Sequence, residues 1–222
     1  VAAHMANDKK MIEAFQEGLD IHAMTAAAIY HIPLEEVTSE LRRAAKTLNF
    51  GILYGMGAMA LAENTGMSLK EAKKFIDDYF REFAGVRKYL DSTKQFAETH
   101  GYVETLFGRR RYIPEINSSN WQVKREAERM ATNMPIQGTA TGDIVKMAMI
   151  AVDSWIKKHN LSEVVKMILQ VHDELVFEIH ENAISERAEQ IKKIMERVAD
   201  LKVPLVVDVK MGKSWGDQNA FE

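Results

Sequence analysis

A run of apolar, β-prone residues interrupted by three charged or titratable side chains constrains this fold more than any other stretch. Residues 164–169 and 175–179 lie on either side of the segment that contains His172, Asp173 and Glu174. Apolar runs of this length around a short polar break predict a hairpin, with a mostly buried first strand and a tight turn. Adjacent strand residues face opposite sides of a sheet, so we expect the two carboxylates to play different parts.

The predicted hairpin tip is also a candidate metal site. Two carboxylates at the end of a buried hairpin are costly unless a cation compensates their charge. Mg²⁺ prefers carboxylate oxygens, so it is the expected compensating ion. A solvated polar turn without a metal explains the same residues, and this stretch alone leaves both interpretations open.

Composition excludes several classes of protein. The chain has 222 residues, of which 46% are hydrophobic, and this is enough for one large domain or two small ones. No apolar run approaches the roughly 20 residues that span a membrane. Cysteine is absent, which excludes disulfides and thiolate metal sites and fits a reducing compartment. The net charge of -3 means that any contact with nucleic acid must come from local basic patches.

Residues 39–55 predict a helix with two different faces, capped by its first serine. Arg42, Lys46, Phe50 and Tyr54 are each four residues apart and form a stripe on one face. The cations suit a polyphosphate, and the aromatic rings suit a sugar and a base. A solvated basic face, with its aromatics packed on a neighbour, is the alternative. Apolar residues at helical spacing predict the buried face: Leu41, Ala44, Ala45, Leu48 and Ile52.

Helices dominate the remaining pattern, and the few strands are partly segregated from them, which favours an α+β fold with an antiparallel sheet. Asp20 and Ser68 are predicted helix caps. A last strand is expected over residues 204–211. The expected helices cover residues 1–17, 20–30, 39–55, 69 to a break at Gly85, 86–100, 121–134 with Pro135 as the stop, 139–158 and 184–198.

Residues 102–114 alternate in a strand-like way around a glycine-arginine tip. Arg109, Arg110 and Arg111 stand beside aromatic residues, a combination that suits contact with a phosphate backbone. A solvated basic turn remains the alternative.

Four stretches, taken together and in their order along the chain, resemble the family A DNA polymerases, the bacterial DNA polymerase I type. The resemblance covers nearly the whole chain. The matching stretches are Arg42-x3-Lys46-x3-Phe50-x3-Tyr54-Gly55 (motif B of that family), residues 105–112, residues 133–139, and Val171-His172-Asp173-Glu174 (motif C).

This resemblance implies a hand-shaped polymerase with an α+β fold. Residues 1–19 would connect palm to fingers after motif A, residues 20–120 would form helical fingers, and residues 121–222 would form part of an antiparallel-sheet palm with the motif C hairpin. The block at residues 138–143 looks one residue longer than the family pattern, so we expect a bulge or turn at that helix start.

The resemblance also implies roles for the residues on the motif B stripe. Arg42 and Lys46 would contact the phosphates of an incoming deoxynucleoside triphosphate, with His22 nearby. Phe50 would pack against its sugar and base, and Tyr54 would stand at the template base. A phenylalanine rather than a tyrosine at position 50 implies discrimination against dideoxynucleotides.

At the motif C hairpin, Asp173 would bind the catalytic metals, two Mg²⁺ ions in the assembled site, with Glu174 as a secondary ligand or support. Lys46 would neutralise charge on the leaving group. The side chains expected to touch primer or template are His172, Arg129, Asn133, Gln137 and the arginines Arg109, Arg110 and Arg111.

The implied function is DNA-templated DNA synthesis in replication and repair, by deoxynucleotidyl transfer to a primer 3′-hydroxyl with two metals. Its partners would be primer-template DNA and deoxynucleoside triphosphates, with no membrane, and its location cytoplasmic, at the nucleoid. Residues 1–5 resemble the segment directly after motif A in this family. We therefore expect this chain to be inactive without an N-terminal portion that carries motif A and the thumb.

Two other interpretations remain. A non-catalytic nucleic-acid-binding fragment would keep the basic helix and the arginine tip without assembling two metals. A metal-dependent hydrolase using His172 and Asp173 would need further histidine or acidic ligands, for which the sequence offers no convincing set.

Overall fold

A computed structural model describes residues 1–220 and divides the chain into two compact units, residues 1–136 and 137–222. Helices dominate, and the strands of the described residues pair into two-stranded antiparallel sheets, so the predicted α+β class is confirmed. The finer boundaries expected after residues 19 and 120 stay predictions. Between residues 1 and 220, none of the helices combines the length and apolarity that a bilayer crossing requires.

The first unit is built from helices around one small hairpin. Its buried apolar side chains include one group with Leu48 and Leu61 and another with Val103 and Ile113. Its elements are α1 (Ala2–Ala6), α2 (Lys9–Gln16), α3 (Ile21–Tyr30), α4 (Ser39–Leu53), α5 (Ala58–Thr65), α6 (Leu69–Glu82), α7 (Ala84–His100), β1 (Tyr102–Glu104), β2 (Arg110–Tyr112) and α8 (Trp121–Gln137), which ends at the first residue of the second unit.

The prediction of one helix over residues 1–17 is wrong, because Asn7 adopts a left-handed conformation with φ 48° and ends α1. Asp8 then caps α2 by accepting a hydrogen bond from Met11 N at 3.0 Å. Its second oxygen accepts from Gly85 N at 2.8 Å. A Cβ at Gly85 would lie 2.8 Å from Asp8 Cα, so this glycine permits a close contact inside α7 instead of breaking a helix.

The predicted caps can be compared with the observed first residues of α3, α4 and α6. Asp20 accepts from His22 N and Ala23 N, and Ser68 forms a capping box with Glu71, so both predictions are confirmed. The cap of α4 is Thr38, one residue before the serine that the sequence suggested, and it accepts from Leu41 N at 3.3 Å.

Pro135 does not end α8, which continues to Gln137. Proline in a helix interior costs about 3 kcal/mol, and α8 accommodates the buried Pro135 despite that cost. The next residues, Gly138–Ile144, form a π-helical segment that leads into α9 (Val145–Lys158). A π-helical turn accommodates one extra residue. This segment therefore confirms the irregularity predicted at residues 138–143, where the sequence is one residue longer than the family pattern.

The second unit packs a hairpin against two helices. Its core contains Val152 and Ile156 of α9, with Val165 and Ile191 from the hairpin and from α10. Its remaining elements are β3 (Val165–Val171), β4 (Glu174–Ile179), α10 (Ile184–Glu196), β5 (Lys210–Ser214) and β6 (Asp217–Ala220).

The predicted hairpin is confirmed, with Val165 opposite Ile179 and Val171 opposite Glu174. Its first strand is not mostly buried, because only the end near Val165 packs under the helices; Ile168 is 44% exposed. The last strand also differs from the prediction. Residues 204–209 have no partner strand in the described part of the chain, and pairing begins only at Lys210.

Candidate functional site

Helix α4 displays the predicted stripe and buries the opposite side. Arg42, Lys46 and Phe50 are exposed, and 41% of Phe50 is accessible. Tyr54, the residue that ends the helix, stacks on Phe50 with ring centroids 6.0 Å apart. The buried side consists of Ala45, Leu48, Asn49, Ile52 and Leu53. This separation results from the 3.6-residue period, which places positions four apart on one face.

His22 of α3 lies beside this face, with its ring centroid 5.8 Å from that of Phe50. Asn49 Nδ2 is 2.9 Å from His22 Nδ1, and Thr25 Oγ1 is 3.1 Å from Asn49 Oδ1. This contact engages Nδ1 and leaves Nε2 as the ring nitrogen on the side away from Asn49. Asn49, 6% exposed, therefore fixes the orientation of the histidine ring.

The charge of His22 is set by its surroundings. Burial lowers its pKa; the Asp20 carboxylate raises it, and the Arg42 and Lys46 cations lower it again, for a net decrease. The imidazole is therefore neutral near pH 7. A neutral ring with a proton on Nε2 can donate a hydrogen bond to a phosphate oxygen.

The two cations of the stripe differ in their partners. Arg42 Nε donates to Asp20 Oδ2, whereas Lys46 makes no ion pair with any residue in the described part of the chain. A cleft of about 330 Å³ opens beside this pair. Its lining consists of Phe15, Gly18, Leu19, Asp20, Ile21, His22 and Arg42.

The end of α4 meets the basic face of α8. Gly55 has φ +85°, a conformation that glycine adopts without strain, and a Cβ there would lie 3.3 Å from Arg129 Cγ. Because α8 runs through Pro135, Arg129, Asn133 and Gln137 fall four residues apart on one helix face. Asn133 Oδ1 is buried without a hydrogen-bond partner among the described residues.

The arginine tip is a β1–β2 turn held by Thr105, whose Oγ1 accepts from Arg109 N at 3.0 Å. Arg110 donates to Glu104 Oε1 at 2.6 Å and lies 4.6 Å from the centre of the Tyr102 ring. The hydrogen bond to Glu104 raises the pKa of Arg110. Arg110 is thus held against its own hairpin, although all three predicted arginines are exposed.

At the β3–β4 tip, the two carboxylates have different surroundings. His172 has φ 54°, and its carbonyl accepts from Gln170 Nε2 at 2.5 Å. Asp173 is exposed at the turn. Glu174 Oε1 accepts from Trp215 Nε1 at 2.9 Å, so a residue of the β5–β6 turn restrains it.

The hairpin tip suits a shared metal site better than a self-contained one. Among residues 1–220, no group of three histidine, cysteine, aspartate or glutamate side chains is placed to hold a metal ion. Mg²⁺ commonly binds through one or two protein carboxylates together with substrate phosphates. Asp173 and Glu174 fit that pattern, whereas a hydrolase centre on His172 and Asp173 lacks its further ligands in this part of the chain.

Sequence reasoning missed the contacts of Asn49 and Trp215. Asn49 carried a usable signal, because a polar residue between Leu48 and Ile52 on a buried helix face needs a hydrogen-bond partner. Trp215 carried none, since it reaches Glu174 from 41 residues away.

The similarity to known proteins extends over nearly the whole chain. A sequence model of DNA polymerase family A matches residues 1–217. DNA polymerase I of Pseudomonas aeruginosa is 46% identical over 217 residues, which cover 98% of this chain and 23% of that protein. DNA polymerase I of Deinococcus radiodurans is 49% identical over 216 residues, 97% of this chain and 22% of that protein. This chain therefore spans less than a quarter of either relative.

A solved structure also resembles this chain. The polymerase domain of Pol1 from M. smegmatis, in complex with DNA primer-template and dNTP, aligns with a TM-score of 0.85 and 44% identity. The alignment covers 92% of this chain and 35% of that one.

Proposed function

Because this chain belongs to DNA polymerase family A, we propose that it supplies the nucleotide-binding helix and one metal-binding carboxylate of an enzyme that synthesises DNA on a DNA template. The observation that carries this proposal is the exposed face of α4, where two cations and two aromatic rings stand in sequence beside His22. That order matches the order of phosphates, sugar and base in a deoxynucleoside triphosphate.

Three side chains would bind the triphosphate. Arg42 offers a planar fork of donors, Lys46 a mobile point charge, and neutral His22 a single ring N–H. Lys46 has no competing ion pair within the described residues, so its charge is available to the leaving pyrophosphate. Stabilisation of developing negative charge is the main protein contribution to phosphoryl transfer.

Two aromatic rings would hold the rest of the nucleotide. Phe50 exposes enough of its ring to cover a sugar and base, and Tyr54 stacks behind it at the end of the helix. We propose that Phe50 packs against the incoming nucleotide, that Tyr54 stands at the template base, and that a phenylalanine at position 50 disfavours dideoxynucleotides.

The hairpin tip would hold the metal. Asp173 is the proposed ligand, and Glu174, positioned by Trp215, is the supporting carboxylate. When bound, Mg²⁺ supplies charge neutralisation at the attacking 3′-oxygen and at the leaving oxygen. An exposed carboxylate at a turn can approach a substrate-borne cation without the desolvation cost of a buried one.

Primer and template would lie along the polar face of α8 and at the two hairpin tips. The side chains proposed to touch DNA are Arg109, Arg110, Arg129, Asn133, Gln137 and His172. Contacts of this kind to the backbone and minor groove are largely independent of sequence, as copying any template requires.

The proposed partner is an N-terminal portion of the polymerase that carries motif A and the thumb. This chain spans only 23% of the Pseudomonas aeruginosa relative, and the described residues hold no complete cluster of metal ligands. We propose that a carboxylate from that portion completes the metal site. The function would also place the protein at DNA in the nucleoid.

Substituting Lys46→Ala in the complemented enzyme tests the phosphate role. We expect nucleotide incorporation to fall about 100-fold or more, because loss of one donor at developing charge has that size of effect. Primer-template binding should change less than about twofold, since exposed side chains away from the DNA contribute little. Lys70→Ala, which removes an exposed lysine of α6, is the matched control. Equal losses of incorporation and DNA binding would argue against this role.

The incomplete metal cluster also favours a second candidate, a nucleic-acid-binding fragment without catalysis. Asp173→Asn separates the two. A polymerase should lose primer extension and keep DNA binding, whereas a binding fragment should show no extension to lose, whatever N-terminal portion is added.

A further inference from the structure

Asp20 occupies the position that joins α3 to the cationic face of α4. Its Oδ1 accepts from His22 N and Ala23 N, both at 3.0 Å. Its Oδ2 accepts from Arg42 Nε. One carboxylate oxygen therefore caps α3, and the other binds the arginine of the proposed phosphate site.

The ion pair competes with a bound anion. Asp20 and Arg42 both line the cleft beside His22, so a polyphosphate that enters there meets a carboxylate already bound to the guanidinium. The Asp20 carboxylate stays ionised in this position. Partial burial alone would raise its pKa, but the hydrogen bond from Arg42 and those from the backbone hold the pKa of Asp20 below its usual value. Asp20 thus remains charged at neutral pH.

We propose that Asp20 is a positioning residue that holds Arg42 when no nucleotide is bound and releases it to the triphosphate. This inference rests on the proposed function for the identity of the anion. Arg42 and Asp20 side chains are 47% and 37% exposed, so the contact is a surface ion pair that an incoming polyanion can displace. A contact of this kind changes an equilibrium by about two- to fivefold.

Asp20→Asn isolates the ion pair from the cap. Asparagine retains a side-chain oxygen for His22 N and Ala23 N, and it caps helices as well as aspartate does. The variant therefore keeps α3 in place and removes only the charge that holds Arg42.

The test measures binding of inorganic tripolyphosphate to the 222-residue chain, by calorimetric titration. We expect Asp20→Asn to tighten binding about two- to fivefold, since Arg42 no longer has to be displaced. In an Arg42→Gln background, Asp20→Asn should increase the affinity for tripolyphosphate clearly less. Asp78→Asn is the matched control, because it breaks an exposed pair with Arg81 in α6 and changes the net charge equally.

Three results would overturn the inference. The first is that neither the wild type nor Asp20→Asn binds tripolyphosphate saturably. The second is that Asp20→Asn increases the affinity no more than Asp78→Asn does. The third is that Asp20→Asn increases the affinity equally with and without Arg42. The NMR signal of Arg42 Nε–H gives an independent reading, and Asp20→Asn should shift it in the ligand-free protein. Neither measurement requires DNA synthesis. A chain that passes both but supports no primer extension when the N-terminal portion is added would refute the proposed function and leave the contact between Asp20 and Arg42 established.

Discussion

At the scale of single residues, the site depends on how buried polar groups orient exposed ones. Asn49 lies on the buried side of α4, and its contact with Nδ1 of His22 orients that ring beside Phe50. Trp215, which is itself 51% exposed, restrains Glu174 through one hydrogen bond. Such residues touch no substrate, but each removes a rotational freedom that binding would otherwise have to restrict.

The lowered pKa of His22 predicts a pH dependence. Asp20, Arg42, Lys46 and Asn49 face this ring, and its pKa lies below the ordinary 6.5 before any ligand binds. A bound polyanion favours the imidazolium and raises that pKa, so triphosphate affinity should increase as the pH falls from about 8 to about 5.5. Titration of wild type and His22→Gln over this range separates the histidine from the ligand's own protonation. Identical profiles for the two proteins would contradict the role of His22.

At the scale of secondary structure, two glycines in helical segments should respond oppositely to alanine. A Cβ at Gly142 in the π-helical segment meets no atom within 4 Å, whereas one at Gly85 would strike Asp8. We expect Gly142→Ala to raise the free energy of unfolding by about 0.5–1 kcal/mol, because alanine restricts the unfolded chain. Gly85→Ala should lower it by about 1–3 kcal/mol through overpacking. Urea unfolding of each variant measures both, and a loss of stability in Gly142→Ala would show that the π-helical turn needs glycine.

Local patterns predicted the elements that local physics determines. The two faces of α4 and the β3–β4 hairpin were predicted from periodicity and turn chemistry, and so were the caps at Asp20 and Ser68. The break at Asn7 had a local signal that the prediction missed, because asparagine favours left-handed helix ends and Asp8 is a good N-cap. The contact between Asp8 and Gly85 joins residues 77 positions apart, and no local rule contains it.

The same distinction applies to the candidate site. Arg42 and Lys46 could be predicted because their spacing alone places them on one face. Asp20 was recognised as a cap, but its second bond to Arg42 crosses 22 residues and was not foreseen. Continuation of α8 past Pro135 was missed because proline is a local stop signal for helices, whereas Pro135 lies buried inside this one.

At the scale of the whole molecule, the two compact units carry different parts of the proposed chemistry. The first contains the α4 face and the second contains the Asp173 tip. Neither unit holds a complete cluster of metal ligands within the described residues. We therefore propose that these parts catalyse DNA synthesis only when an N-terminal portion is added.

Primer extension tests this requirement for an N-terminal portion. The purified 222-residue chain is mixed with primer-template DNA, deoxynucleoside triphosphates and Mg²⁺, with and without an N-terminal polymerase portion that carries motif A and the thumb. We predict extension only in the mixture, and its loss when Asp173→Asn replaces the wild-type chain. Robust extension by these 222 residues alone, or extension by the mixture that survives Asp173→Asn, would refute the proposed division of the catalytic site.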